Sequence, residues 1–186
     1  MPLLSRRGFL LSTLAAPLLA HPARAQMSAL AQAPRNLMGF RTQEWQPYFD
    51  TLARGAILCD LDARVLHHWR QGGESYRLYP TSVPLTEDFT RRGHTEITLM
   101  RRAPTWIPTP SMRAANPDLP ARIGPGPENP MGTRAMNLGW PYYRIHGTDN
   151  PEKIGRRASS GCIGMFNHHV EELFDEVGVG TPVLVL

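Results

Sequence analysis

Several things are scarce in this chain, and each scarcity excludes something. Cysteine occurs twice in 186 residues, at Cys59 and Cys162, too few for the multi-disulfide scaffolds that stabilise small exported domains. Lysine occurs once, at Lys153, so all but one of the 20 basic residues are arginine. There is no Cys-x-x-Cys, no His-x-x-x-His and no acidic cluster at ligand spacing, which argues against a zinc hydrolase. A glycine-rich phosphate loop, an internal repeat and a low-complexity tract are all missing, and beyond residue 25 no stretch is long and apolar enough to span a bilayer as a helix.

The N-terminus carries instead the ordered parts of an export signal. In "MPLLSRRGFLLSTLAAPLLAHPARAQ" the pair Arg6 and Arg7 precedes an apolar run from Leu11 to Ala20, and Ala23, Arg24 and Ala25 form a small-x-small cleavage site. The paired arginines before "GFL" resemble the twin-arginine type, so residues 1–25 are expected to direct the chain to a bacterial periplasm and to be removed. Taking three arginines and no acid from a formal net charge of +4 leaves +1 for residues 26–186. The basic balance is thus largely a property of the signal, and no nucleic-acid footprint is expected of the remainder.

Residues 26–54 read as a lead-in holding a short helix that starts near Pro47 and is closed by Gly55, and residues 55–186 as one domain of a size that can bury a core. Short strands are predicted at 56–61, 64–69 and 75–79, joined by the turn signals "DA" and "QGG" into an antiparallel meander. Further strands are predicted at 95–100, 134–138, 142–146 and 182–186. Between them lie the proline- and glycine-rich loops "APTWIPTPSM" and "ARIGPGPENPMG". One helix is clear, with Asn167 as its N-cap, Val170, Leu173, Phe174 and Val177 as its apolar stripe, and Gly178 as its stop. The pattern is a mostly-β domain whose long loops are where function is expected.

Spacing alone leaves a Cys59–Cys162 disulfide open, but the two cysteines sit in different surroundings. Cys59 shares a strand face with Ile57 and Leu61 and reads as a buried apolar residue. Cys162, in "ASSGCIGM", lies in a loop directly behind Gly161 and a few residues before a helix. A thiol there needs a base to act as a nucleophile, because its ordinary pKa leaves little thiolate at neutral pH. His67 and His68 are consecutive on a strand, so one is expected to face the core and the other solvent. His168 and His169 open the helix on different sides, and His94 has no evident partner. His146 ends a strand and runs into Gly147 and Thr148, where the sheet can fix it at its rim.

The run "IHGTDNPEKIGRRASSGCIGM" followed by "NHHVEELFDEVGVGTPVLVL" resembles the catalytic end of the L,D-transpeptidase (YkuD-type) domain: histidine-glycine-threonine, isoleucine-glycine, serine-x-glycine-cysteine, then a helix and a terminal strand. The likeness covers roughly residues 55–186, and "PTWIPTPSM" and "GPENPMGTRAMNLG" resemble the substrate-side loops of that family. It implies a mostly-β fold, a β-sandwich or open barrel with a helix after the cysteine loop.

It also implies Cys162 as nucleophile and His146 as general base. A peptidoglycan tetrapeptide stem would be the donor and D-alanine the leaving group. A second stem peptide, or a wall-attached protein, would be the acceptor. Gly161 and Cys162 would offer oxyanion donors, Ser159 and Ser160 would shape the loop or bind substrate, and Gly147 and Thr148 would hold the imidazole, with a main-chain carbonyl rather than an acid orienting it. No cofactor is required. With water as acceptor the same site would be an L,D-carboxypeptidase or endopeptidase, and a non-catalytic peptidoglycan-binding module is the other reading. The chain departs from the family at Ser160, where many members have histidine, and at Gly164, where arginine is usual; Arg144, Arg156 or Arg157 could supply the missing cation from elsewhere.

Overall fold

The computed structural model describes residues 40–186; the expected signal at 1–25 lies outside them. Ten strands follow in chain order: β1 (Ala56–Asp60), β2 (Val65–Trp69), β3 (Tyr76–Pro80), β4 (Val83–Pro84), β5 (Gly93–Arg102), β6 (Arg134–Leu138), β7 (Arg144–His146), β8 (Arg157–Ser159), β9 (Ile163–Gly164) and β10 (Pro182–Val185). The helices are α1 (Pro110–Ala115), in the loop between β5 and β6, and α2 (Asn167–Glu176), after the cysteine loop. Eight strands form one curled sheet in the order β3-β2-β1-β10-β5-β6-β7-β9, and β4 pairs with β8 apart from it. The expected mostly-β architecture is the observed one.

The long strand β5 makes the curl. Its first half pairs with β10 (Val185 opposite Gly93, Pro182 opposite Glu96), and its second half pairs with β6 (Leu99 opposite Asn137, Arg102 opposite Arg134). The register shifts between Ile97 and Leu99, where the Thr98 hydroxyl turns to the Asn137 and Leu138 carbonyls. An extra residue on one strand bends it and raises its twist. The two halves of the sheet therefore close over α2, which fills the concave side with Val170, Leu173 and Phe174 against Met136, Ile145, Ile163, Ile57 and Leu66. Burying each such side chain contributes about 2 kcal/mol. A second apolar cluster of Phe49, Leu52, Leu58 and Trp69 covers the opposite face of the first half.

That second layer overturns two expectations. No helix forms near Pro47: residues 45–48 make a turn, with the Tyr48 and Phe49 amides both bonded to the Trp45 carbonyl. The aromatic side chains of this segment pack on the sheet instead of pairing along a helix. Consequently both faces of β2 are covered, and His67 and His68 are both 1% exposed rather than one in and one out. His67 stacks on Trp69 and meets the Tyr76 hydroxyl at 2.7 Å, while His68 turns to α2, with Nδ1 3.4 Å from Glu176 Oε2. Nor do His168 and His169 diverge, since their ring centroids are 4.1 Å apart.

The strand expected at 142–146 is shorter. Tyr142 has φ 66° and belongs to the turn that follows Pro141, so only Arg144–His146 are extended. Asn167 does not cap its own helix; its side chain is used elsewhere, as described next.

Candidate active site

The site is built by strand register. β7 and β9 run parallel, with Ile145 opposite Ile163 and His146 opposite Gly164. Side chains alternate faces along a strand. Ile145 and Ile163 therefore both enter the core, where each is at most 2% exposed, while Arg144, His146, Cys162 and Gly164 share the other face. One position before Ile163, Cys162 lies abreast of Arg144 and diagonal to His146. The sixteen-residue separation of the two in sequence thus becomes adjacency in the sheet.

This face forms the floor of a cavity of about 330 Å³ under the 103–131 loop. Cys162, His146, Thr148, Ser159 and Ser160 line it together, with Arg144, Lys153, Tyr142, Trp106 and Met112 around them. Of the expected residues, Gly147 and Gly161 do not line it; Gly147 reaches the site through its carbonyl, which meets His146 Nδ1. Cys59 is far from this chemistry: it is free, 1% exposed in the core, and its thiol is pushed well above the ordinary range by burial and by Asp60. Cys162 is also free, so no disulfide joins the two.

His146 is held by main chain. Its Nδ1 lies 2.5 Å from the Gly147 carbonyl, so the acceptor fixes the proton on Nδ1 and leaves the Nε2 lone pair available. Burial pushes the imidazole pKa down to about 4; the Gly147 bond raises it, Arg144 and Lys153 lower it further, and Asp149 raises it. At neutral pH the ring is an uncharged base. Burial also raises the Cys162 thiol, against which the Arg144 charge and Arg144 hydrogen bonds pull it down. The resting pair is therefore thiol and imidazole rather than thiolate and imidazolium. The thiol donates to the Tyr142 carbonyl at 3.3 Å.

Asn167, the first residue of α2, ties this loop down. Its Oδ1 accepts from the Thr148 amide (3.1 Å) and the Thr133 amide (3.3 Å), and its Nδ2 donates to the Thr148 carbonyl (3.0 Å). A Cβ at either Gly132 or Gly147 would collide with that Oδ1, so two glycines are needed for the approach. Thr148 closes the turn through Asn150, donating to its carbonyl (3.2 Å) and accepting from its amide (3.1 Å). The Ser159 hydroxyl donates to the Cys162 carbonyl, which shapes the cysteine loop from within. Gly161 has φ +121°, a region that L side chains avoid, and a Cβ there would lie 3.3 Å from the Phe89 carbonyl.

The cation question left by Gly164 has an answer in position. Arg157 is paired with Asp62 (3.2 Å) and Glu87 (3.5 Å), and Arg156 is buried with its Nε on the Glu152 carbonyl (2.9 Å). Arg144 alone of the three lines the cavity beside the thiol. Lys153, the single lysine, also lines it, 3.8 Å from Asp149. Gly164 faces Ser82: their backbones exchange two hydrogen bonds (2.8 and 3.0 Å), and a Cβ on Gly164 would collide with the Ser82 hydroxyl. Composition had no signal for Lys153, Ser82 or the clasp made by Asn167. Among the described residues no group of three or more His, Cys, Asp or Glu is placed to hold a metal ion, and no helix is long and apolar enough to cross a membrane.

The profile of the YkuD family, L,D-transpeptidase catalytic domain, matches residues 54–185. A protein of Fuscovulum blasticum named as an L,D-transpeptidase is 47% identical over 176 residues, covering 95% of this chain and 93% of that protein. YbiS of Escherichia coli K12, named likewise, is 35% identical over 139 residues, covering 72% of this chain but 45% of its own length. Among solved structures, the L,D-transpeptidase from Mycobacterium smegmatis superposes with a TM-score of 0.54 at 20% identity, over 72% of this chain and 59% of that one.

Proposed function

Since the chain belongs to the YkuD family of L,D-transpeptidase catalytic domains, we propose that it is a cysteine acyltransferase acting on peptidoglycan tetrapeptide stems, with Cys162 as nucleophile and His146 as general base. Export by the signal read in residues 1–25 would bring it to that substrate in the periplasm. The observation that carries the reading is the parallel β7–β9 register. It sets a thiol and a neutral imidazole on one face of one cavity, with Nδ1 of the imidazole tied to the Gly147 carbonyl.

The steps follow from those positions. The thiol leaves the Tyr142 carbonyl and gives its proton to His146 Nε2 as sulfur bonds to the carbonyl carbon between diaminopimelate and D-alanine. Backbone amides at Gly161 and Cys162 receive the oxyanion, each such donor contributing about 3 kcal/mol. Collapse breaks the C–N bond, and His146 returns the proton to the departing D-alanine amine. The donor stays as a thioester. An acceptor amine then attacks and gives a proton to His146, the C–S bond breaks, and the sulfur recovers that proton. Arg144 supports the charge on sulfur at both stages, standing where its guanidinium and N–H groups already favour the anion. Water as the attacking group would give the hydrolase instead.

Mature protein incubated with a tetrapeptide stem tests the proposal. D-alanine release together with a crosslinked dimer by mass spectrometry is expected, and a carbapenem should add its mass to the protein. Cys162→Ala should abolish all three. Release of D-alanine by the Cys162→Ala variant would refute the nucleophile, and a tripeptide product with no dimer would assign the chain as a carboxypeptidase.

A further inference from the structure

The parallel β7–β9 register also has a reverse side. Ile145 lies opposite Ile163, so two positions earlier Tyr143 and Gly161 stand together on the core face, behind the thiol of Cys162. The two are in contact: a Cβ added to Gly161 would lie 3.5 Å from the Tyr143 Cζ and 3.3 Å from the Phe89 carbonyl oxygen. Ring and carbonyl are tied to each other, because the Tyr143 hydroxyl donates to the Phe89 carbonyl at 2.6 Å. Burial raises the phenol pKa, Arg91 lowers it and Cys162 raises it; the net direction is upward, so at neutral pH the hydroxyl keeps the proton it donates.

Neither partner is loose. The Tyr143 amide donates to the Trp140 carbonyl at 3.2 Å, and the Tyr143 carbonyl accepts from the Leu138 amide at 3.0 Å. Trp140 meets the Tyr143 ring edge-on, with Arg91 over the indole. Phe89 belongs to a loop whose Leu85 amide donates to the Ser159 carbonyl at 2.9 Å, and whose Glu87 is held by Arg92 and Arg157, each at 3.5 Å. The Phe89 side chain is 42% exposed, so what this residue brings to the contact is its carbonyl.

Those ties end on a glycine whose own amide is unbonded. Among the described residues no acceptor takes the amide hydrogen of Gly161 or of Cys162, the two groups assigned above to the oxyanion. Glycine can occupy several backbone wells, and Gly161 stands at φ +121°. Bonds of its own therefore do not decide where these amides point; the wall behind it does.

We propose that Tyr143 is a positioning residue for the oxyanion: with the Phe89 carbonyl, its ring holds Gly161 in the backbone well that turns the Cys162 amide toward the thiol cavity. The inference rests on Cys162 as nucleophile and adds the group that shapes its oxyanion site. Tyr143 lies behind the cavity rather than in its lining, so its influence passes through the backbone it supports. A reaction that puts charge on a carbonyl oxygen needs that support, and a reaction at sulfur alone does not.

Two reactions of the same thiol separate these cases. Iodoacetamide is attacked at its methylene carbon: the S–C bond forms, iodide leaves and the thiol proton passes to His146, with no oxyanion. A carbapenem is attacked at its ring carbonyl: the S–C bond forms, charge develops on oxygen, and the ring C–N bond then breaks as its nitrogen takes the proton. Both adducts are timed by intact mass on the mature protein, with Cys162→Ala giving the background from Cys59. Losing an oxyanion donor costs about a hundredfold or more, and Tyr143→Phe displaces the donors without deleting them, so carbapenem acylation should slow about tenfold while alkylation stays within about twofold. For D-alanine release, kcat should fall with acylation and KM should hold. Tyr76→Phe loses a 2.7 Å contact with His67 at the opposite edge of the sheet and should alter neither rate. An equal fall in both reactions of Tyr143→Phe would overturn the proposal, as would unchanged acylation or the same selective loss in Tyr76→Phe. Absence of D-alanine release from the unaltered protein would instead strike the tetrapeptide as substrate, and the two adducts would still decide the role of Tyr143.

Discussion

Asn167→Ala removes one side chain that holds both β6 and the loop after His146 in place. Three hydrogen bonds go with it, from the Thr133 and Thr148 amides and to the Thr148 carbonyl, at 3.3, 3.1 and 3.0 Å. Each contributes about 1 kcal/mol net, and the facing positions Gly132 and Gly147 have no side chain that could fill the gap. A loss of about 3 kcal/mol is expected in urea denaturation. Asn167→Asp keeps the acceptor for the two amides but turns a carboxylate oxygen on the Thr148 carbonyl in place of the donor, so at least the one bond, about 1 kcal/mol, should go.

The functional effect should exceed that of a general destabilisation. Gly147 supplies the carbonyl that orients His146, and release of Gly147 lets the imidazole turn. A misplacement of about 1 Å at a reacting group costs up to a hundredfold in rate. D-alanine release measured well below the unfolding midpoint should therefore fall ten- to hundredfold in Asn167→Ala, mainly in kcat, since the cavity lining is unchanged. If Asn167→Ala unfolds with the unaltered protein, or keeps its rate while folded, the clasp is not what positions the base.

Two further perturbations read other parts of the site. Gly164→Ala should cost about 1 kcal/mol by overlap with the Ser82 hydroxyl, and Ser82→Ala in the same chain should recover most of it; equal losses in both backgrounds, by urea midpoint, would show that the contact is not responsible. For pH, the sign follows from burial. The charged imidazolium is disfavoured, so His146 takes up its proton only as pH falls through about 4, and kcat/KM for D-alanine release should change little between pH 7 and pH 5. A base with the ordinary histidine pKa would lose about 25-fold over that range, and an acid limb centred near 6.5 would refute the assignment of His146 as a buried neutral base.

Elements whose residues carry their own pattern were legible in the sequence. β1, β2, β6 and α2 lie where alternation and the Val170, Leu173, Phe174 stripe put them. β4, β8 and β9 were not legible, because strands of two or three residues contain no period and exist only through their partners. The helix expected near Pro47 failed for a related reason: the aromatic residues there bury more surface against Trp69 and Leu58 than a short helix would gain from its own bonds. His67 and His68 misled because alternation on a strand separates its two faces, not exposed from buried, and here a second layer covers both.

For the site, what the sequence determined was chemical identity: a thiol behind a glycine, an imidazole at a strand end, and serine and threonine around them, in an order shared with a known family. Side-chain type and local spacing are enough for that, since they decide which atoms can be nucleophile, base or hydrogen-bond donor. Only the tertiary structure decided which groups meet. The parallel pairing of β7 with β9 sets Arg144, rather than Arg156 or Arg157, beside Cys162, and Tyr143 behind Gly161. Those are distances between segments far apart in the chain, and they follow from strand register and from how the sheet closes over α2, neither of which is encoded in any one stretch of residues.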